Sequence, residues 1–131
     1  MEEPGDILGY YSLSATHLAI DEIPDKVRKK LGRYGVIPAT LLGRLAVDRH
    51  YQRRKDLRLG ELLLIDAMWR SYLASQTVGS FGLIVDVLIG EHGDPSGFYS
   101  KYGFIACSQT PGKMYLPMKT IEQILREADL I

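Results

Sequence analysis

The chain has 131 residues and a mass of 14.7 kDa, the size of one compact domain. Its 46% hydrophobic and 24% charged residues exclude a disordered, collagen-like or coiled-coil chain. Sixteen basic residues balance sixteen acidic ones, so bulk charge points to no nucleic-acid partner, although a zero sum can hide polarised patches.

The opening segment, Met1–Asp6, is acidic and broken by Pro4 and Gly5, unlike a secretory leader. Ile7–Ser14 is rich in aromatic and aliphatic residues and predicts a strand. Pro24 through Arg33 predicts a short helix, with Pro24 in its first turn and Gly32 at its end. Thr40–Val47 is the next strand, in which Gly43 marks a bulge or a close backbone approach. From Gly60 to about Ser75, the apolar residues Leu62, Ile65, Met68, Trp69 and Tyr72 recur at helical steps. Phe81–Ile89 predicts a central strand covered on both faces. Asp94-Pro95 opens a short helix from Pro95 to Tyr102 that stops at Gly103. Phe104–Ser108 and Lys113–Met118 pair across the Pro111-Gly112 turn, and Thr120 to about Leu130 forms a closing helix.

This order predicts an α/β layered domain with a mixed sheet, one domain over residues 1–131, without repeats or linkers. The longest apolar runs, Leu62–Ile65 and Ile84–Ile89, are too short or too interrupted to cross a bilayer. The expectation is a soluble, cytoplasmic protein. Cys107 is the one cysteine, so it makes no internal disulfide and anchors no Cys-rich zinc site. Its place in a buried strand suits a core residue better than a nucleophile. His17, His50 and His92 lack metal-ligand spacing, and Asp48, Asp66 and Asp86 form no visible pair. No metal is expected.

Basic residues are segregated. Lys26, Arg28, Lys29, Lys30 and Arg33 fall in one segment, and Arg49, Arg53, Arg54, Lys55 and Arg58 in another. Such patches either bind RNA phosphates or form solvated surface.

Four stretches together resemble the GNAT superfamily of N-acetyltransferases. They are Gly9-Tyr10-Tyr11-Ser12-Leu13-Ser14-Ala15, Leu42-Gly43-Arg44-Leu45-Ala46-Val47-Asp48, Tyr51-Gln52 with Leu59–Ala67, and Phe98-Tyr99-Ser100-Lys101-Tyr102-Gly103-Phe104. The last occurs across many acetyltransferases. Its combination with Tyr-Tyr-Ser-Leu-Ser and Gly-Arg-Leu-Ala-Val-Asp is similar to the acetyltransferase toxins of toxin–antitoxin pairs, which acetylate aminoacyl-tRNA. The resemblance covers about residues 7 to 119. It implies a GNAT-type fold, a mixed and mostly antiparallel central sheet flanked by helices.

Two departures stand out. The family's first strand and two helices precede the Tyr-Tyr-Ser-Leu-Ser stretch, whereas six residues precede Ile7 here. The expectation is an N-terminally truncated domain, a fragment or a misassigned start. The family's pyrophosphate loop runs Gln/Arg-x-x-Gly-x-Gly/Ala. The loop from Gln52 to Gly60 is three residues longer, with Arg58 in place of the first glycine if Gly60 is the last.

The resemblance implies acetyl-CoA as co-substrate. A pyrophosphate is held by backbone N–H groups at a helix N-terminus. Arg53, Arg54, Lys55, Arg58, Leu59, Gly60 and Glu61 occupy that region, with cations replacing part of the lost glycine. The alternative for this loop is solvated surface. Leu45, Ala46 and Val47 match the strand whose main chain binds the thioester in the family. Tyr99 matches the tyrosine that protonates the coenzyme A sulfur, its bland alternative being an aromatic that packs the short helix. Arg49, Arg53, Arg54, Lys29 and Lys30 are the expected RNA contacts. The family also implies a homodimer and an antitoxin partner. Two other functions stay open: a non-catalytic remnant serving as a binding module, and an acetyltransferase for a small amine or a protein lysine.

Overall fold

The computed structural model describes residues 7–24, 35–48, 58–87 and 93–131. Two long strands come first, β1 (Gly9–Ala19) and β2 (Val36–Val47), with a single 3-10 turn at Ile20–Glu22 after β1. Helix α1 (Leu59–Ser75), strand β3 (Gly82–Asp86), helix α2 (Ser96–Lys101), strands β4 (Ile105–Ala106) and β5 (Lys113–Pro117) and helix α3 (Met118–Glu127) follow. The sheet order is β1-β2-β3-β5-β4. Among the described strands only the β2–β3 pair is parallel, so the sheet is mixed and mostly antiparallel.

Several boundaries differ from the sequence expectation. β1 runs on to Ala19 and β2 begins at Val36, because the two strands pair along their whole length. Pro38 is tolerated inside β2 for a geometric reason. Its carbonyl accepts the Phe81 N–H at 2.8 Å on the β3 side, so its ring nitrogen also faces away from β1 and costs that ladder no donor. β3 ends at Asp86, β4 keeps two residues, and α3 starts at Met118 rather than Thr120. Beyond Pro24, the helix expected to Arg33 lies outside the described residues.

Two cores flank the sheet. On one face α1 and α3 bury Leu64, Ala67, Met68, Ile121 and Leu125 against Leu42, Leu83, Val85, Met114 and Leu116. On the other, Leu18, Ile23, Ile37, Ala39, Ile84, Cys107 and Tyr115 pack together. Glu22 helps close this second face. Its carboxylate accepts the Gln109 N–H at 2.6 Å and its carbonyl the Ser108 N–H at 3.1 Å. Cys107 is buried there, as a core residue should be, and burial pushes its thiol up to about 11.

The buried face of α1 matches the expected one only in part: Met68 is buried and Ile65 and Tyr72 pack against the core. Leu64, Ala67, Met68 and Ser71 point inward, while Leu62 is 59% and Trp69 37% exposed. This helix is apolar almost all round, so periodicity alone could not select its core stripe. Ser71 is tolerated because its hydroxyl donates to the Ala67 carbonyl at 2.7 Å.

Candidate functional site

The site begins with one extra residue. β1 and β2 slip register between Ser12 and Leu13: Ser12 faces Arg44 but Leu13 faces Leu42, which leaves Gly43 unmatched. A bulge of this kind bends its strand. Consistently, β2 pairs with β3 only over Thr40–Leu42. Beyond the bulge β2 and β3 part, and a cleft of about 370 Å³ opens between them. Residues 43–46 of β2 form one wall, Val85, Asp86 and Val87 the other, with Tyr10, Pro95 and Tyr99 around the mouth.

Strand alternation sets which main-chain groups face this gap. The Asp48 N–H donates to the Leu8 carbonyl at 2.8 Å. Stepping back two residues turns the Ala46 N–H to β1, whereas the Leu45 and Val47 peptides face the β3 side. Of the three positions that the resemblance proposes as main-chain binders, Leu45 both lines the cleft and turns its peptide to the β3 side, whereas Val47 turns the same way beyond the cleft's lining. Ala46 contributes only its side of the wall.

Tyr99 reaches the cleft from α2. Its ring sits edge-on to Phe98 and Phe104, with centroids 5.2 and 5.3 Å away. Burial raises its phenol above the usual tyrosine range, which keeps it protonated at neutral pH. Asp94, just before this short helix, accepts the Ser96 N–H at 2.9 Å and so fixes the turn that enters it. That bond holds the Asp94 carboxyl below its ordinary range.

The N-terminus of α1 lies beside α2, since a Cβ on Gly60 would stand 3.8 Å from the Phe98 ring. The N–H groups of Leu59, Gly60 and Glu61 precede the first intrahelical bond, made by Leu62 to Arg58 at 3.1 Å. They are the donors that hold an anion at a helix start. Arg58 sits just before them in the left-handed region, at φ 48° and ψ 44°, where glycine is favoured. Its Nε pairs with Glu61 at 2.6 Å. Burial first, and then Glu61, push the neighbouring Tyr102 up to about 12. Arg49, Arg53, Arg54, Lys55, Lys29 and Lys30 lie outside the described residues.

Sequence reasoning missed four groups. Tyr10, Arg44 and Asp86 line the cleft, and all three carry chemistry that spacing did not single out. The fourth is a seam between β1 and α1. The Tyr11 hydroxyl donates to Asp66, whose Oδ2 also accepts from the Arg70 Nε at 3.0 Å. Desolvation, with Asp66 second, pushes Tyr11 up to about 12. The Tyr11 hydrogen bond in turn holds Asp66 below its usual range. Only the Asp–Arg step, four residues apart on a helix, was legible in the sequence.

A larger cavity of about 510 Å³ runs along the outer flank of α1, past Leu62, Ile65, Trp69 and Leu130. It contains neither Tyr99 nor a strand-edge amide, the two groups that the smaller cleft brings together. Among the described residues no group of three or more His, Cys, Asp or Glu is placed to hold a metal. No helix among them is long and apolar enough to cross a membrane.

A parallel strand pair parted by a bulge, with a helix N-terminus and a half-buried tyrosine at the opening, is the architecture of a GNAT-type acyltransferase. No protein-family model matches the chain. It is 31% identical over 121 residues to the tRNA-acetylating toxin of Mycobacterium tuberculosis, covering 92% of this chain and 68% of that protein. Among solved structures, a tyrosine-to-phenylalanine mutant of KacT superposes with a TM-score of 0.76 at 34% identity, over 89% of this chain and 66% of that one. AtaT complexed with acetyl-methionyl-tRNAfMet gives 0.75 at 33% identity, over 90% and 66%. AtaT has further been solved with the C-terminus of its antitoxin AtaR, and AtaTR with AcCoA. The chain belongs to the family of GNAT tRNA-acetylating toxins. It spans about two thirds of the length of the relatives it matches.

Proposed function

We propose that this chain is an N-acetyltransferase that moves an acetyl group from acetyl-CoA to the α-amine of aminoacyl-tRNA, as a toxin. One observation carries the reading: Tyr99 and the outward-facing Leu45 peptide line a single cleft beside the α1 N-terminus. Relatives solved with acetyl-methionyl-tRNAfMet and with AcCoA support the choice of substrates.

The residues fit the co-substrate. The α1 N–H groups at 59–61 suit a pyrophosphate, and the parted strand edge suits an extended amide chain. Acetyl-CoA, when bound, supplies an activated thioester. The Leu45 N–H then donates to the thioester carbonyl oxygen and stabilises the negative charge that grows there. As the amine nitrogen bonds to the acetyl carbon, the carbon–sulfur bond breaks. Tyr99 gives its proton to the sulfur, and the amine releases its own to solvent. A phenol is neutral at pH 7 and so carries the proton that is given.

The same reading makes residues 1–131 one domain that works in the cytoplasm as a homodimer, masked by an antitoxin. The complex of AtaT with the C-terminus of AtaR supports the antitoxin. Arg49, Arg53, Arg54, Lys29 and Lys30 would hold RNA phosphates, and Arg53, Arg54, Lys55 and Arg58 those of the coenzyme. Calorimetric titration with acetyl-CoA, followed by acetylation of charged tRNA, tests the reading with Tyr99→Phe alongside. Folded protein that binds no acetyl-CoA would overturn it. Activity on simple amines but not on charged tRNA would replace the acceptor.

A further inference from the structure

The two halves of the cleft hang on different elements. The Leu45 peptide belongs to β2, whereas the N–H groups at 59–61 belong to α1. A coenzyme that reaches from one to the other needs a fixed distance between them. Beyond the bulge β2 has left β3, so β1 is the one strand that holds Arg44–Ala46 among the described residues. The Leu45 peptide therefore stands where β1 puts it.

At the same level β1 is tied to α1. Tyr11 lies directly opposite Leu45, and both side chains pack into the core beneath α1. The Tyr11 hydroxyl donates to Asp66, on the second turn of α1, and the Arg70 Nε holds the same carboxylate oxygen at 3.0 Å from the next turn. A neutral phenol on an ionised carboxylate makes a charge-assisted bond, stronger than one between neutral groups. Packing is close here too. A Cβ on Gly9 would stand 2.7 Å from the Ala46 carbonyl oxygen and 2.8 Å from the Leu63 Cδ1. β1 is thus wedged between β2 and α1. Among the described residues, Tyr11–Asp66 is the one side-chain hydrogen bond that joins α1 to either long strand.

Resting on the acetyltransferase reading, we propose that Tyr11 is a positioning residue for that reaction: through Asp66 it sets the distance from the Leu45 N–H to the first turn of α1. Tyr11 does not line the cleft itself, so it acts through the peptide opposite it. A slide of β1 by about 1 Å would carry the Leu45 N–H off the thioester oxygen and leave the α1 donors in place. A misplacement of that order costs up to about 100-fold in rate.

The test separates position from stability. Tyr11→Phe keeps the ring and deletes the bond. Its single-turnover acetylation of charged tRNA at saturating acetyl-CoA should fall about 10-fold. Its affinity for adenosine 3′-phosphate 5′-diphosphate, the nucleotide end of the coenzyme without the thioester arm, should hold. Ile37→Val trims the paired half of β2 and also lowers stability, yet should keep the native rate. Asp66→Asn, whose amide oxygen still accepts from the phenol, should keep most of the rate that Asp66→Leu loses. Tyr11→Phe combined with Asp66→Leu should lose no more than either alone. In amide NMR spectra of the free protein, Tyr11→Phe should move the signals of residues 44–46 and leave those of 37–42. A native rate in Tyr11→Phe, an equal loss in Ile37→Val, or unmoved signals at 44–46 would each overturn the assignment. Moved signals in a native chain that binds no acetyl-CoA would instead sustain the strut from β1 to α1 and sink the enzymatic reading.

Discussion

The two halves of β2 behave differently, though they are one strand. From Val36 to Leu42 it pairs with β1 throughout and with β3 over Thr40–Leu42, and Ile37, Ala39 and Leu42 are buried. From Arg44 to Val47 it keeps β1 but has left β3, and none of its residues is buried. The first half serves stability by packing. The second presents peptide groups to a cleft, which a fully paired strand cannot do. One inserted glycine separates the two roles.

The sharpest way to break this contrast is at the cleft. Tyr99→Phe should lower acetylation by about 10²–10⁴-fold and leave acetyl-CoA affinity unchanged, as calorimetry beside a tRNA acetylation assay would register. In the paired region the damage should fall on the fold. A Cβ at Gly82 would lie 2.2 Å from the Leu116 carbonyl oxygen and 3.0 Å from the Pro117 Cα. Both are backbone that cannot move aside, so Gly82→Ala should cost about 3 kcal/mol or more by urea denaturation.

A smaller effect is expected at the seam between β1 and α1. Tyr11→Phe deletes the hydrogen bond to Asp66 and should cost about 1–2 kcal/mol. It should also change the alkaline limb. Burial and Asp66 push the folded Tyr11 up to about 12, against about 10 for a free phenol, so the stability it confers is whole below pH 10 and is lost as pH rises toward 12. Denaturation of the variant should lack that slope.

At Gly43 the contrast can be sharpened. A Cβ there meets only the Ser12 hydroxyl, at 2.8 Å, and a hydroxyl can rotate away. Gly43→Ala should cost about 1 kcal/mol or less in stability, yet weaken acetyl-CoA binding by altering the bend. The smallest change is expected from Arg58→Gly. Relief of a left-handed backbone, worth about 1 kcal/mol, offsets loss of the exposed pair with Glu61. Melting should barely move, while acetyl-CoA affinity falls several-fold through the lost cation.

Much of the scaffold was legible. The 59–75 helix, the β4–β5 pair and the glycine bulge all follow from local rules, because turn chemistry and periodicity act over a few residues. The inward face of α1 was legible only in part: Met68 faces the core as expected, but Leu62 and Trp69 are as apolar as Leu64, and only the opposing strands choose between them. Tyr99 was legible through its motif rather than through any spacing. Arg44, although inside a recognised stretch, gave no sign of its direction until the register with β1 was known.

By itself, then, the sequence determined the order of the described strands and helices, the irregularity at Gly43 and the motif that contains Tyr99. These are properties of short stretches, decided by backbone preference and apolar period. The tertiary structure decided where β2 and β3 part, that the Leu45 and Val47 peptides face the β3 side while Ala46 turns to β1, and that Tyr10, Arg44 and Asp86 line the cleft. Strand register is a long-range property, in which one residue of slip reverses every side chain. It becomes visible only when the paired strands are seen together.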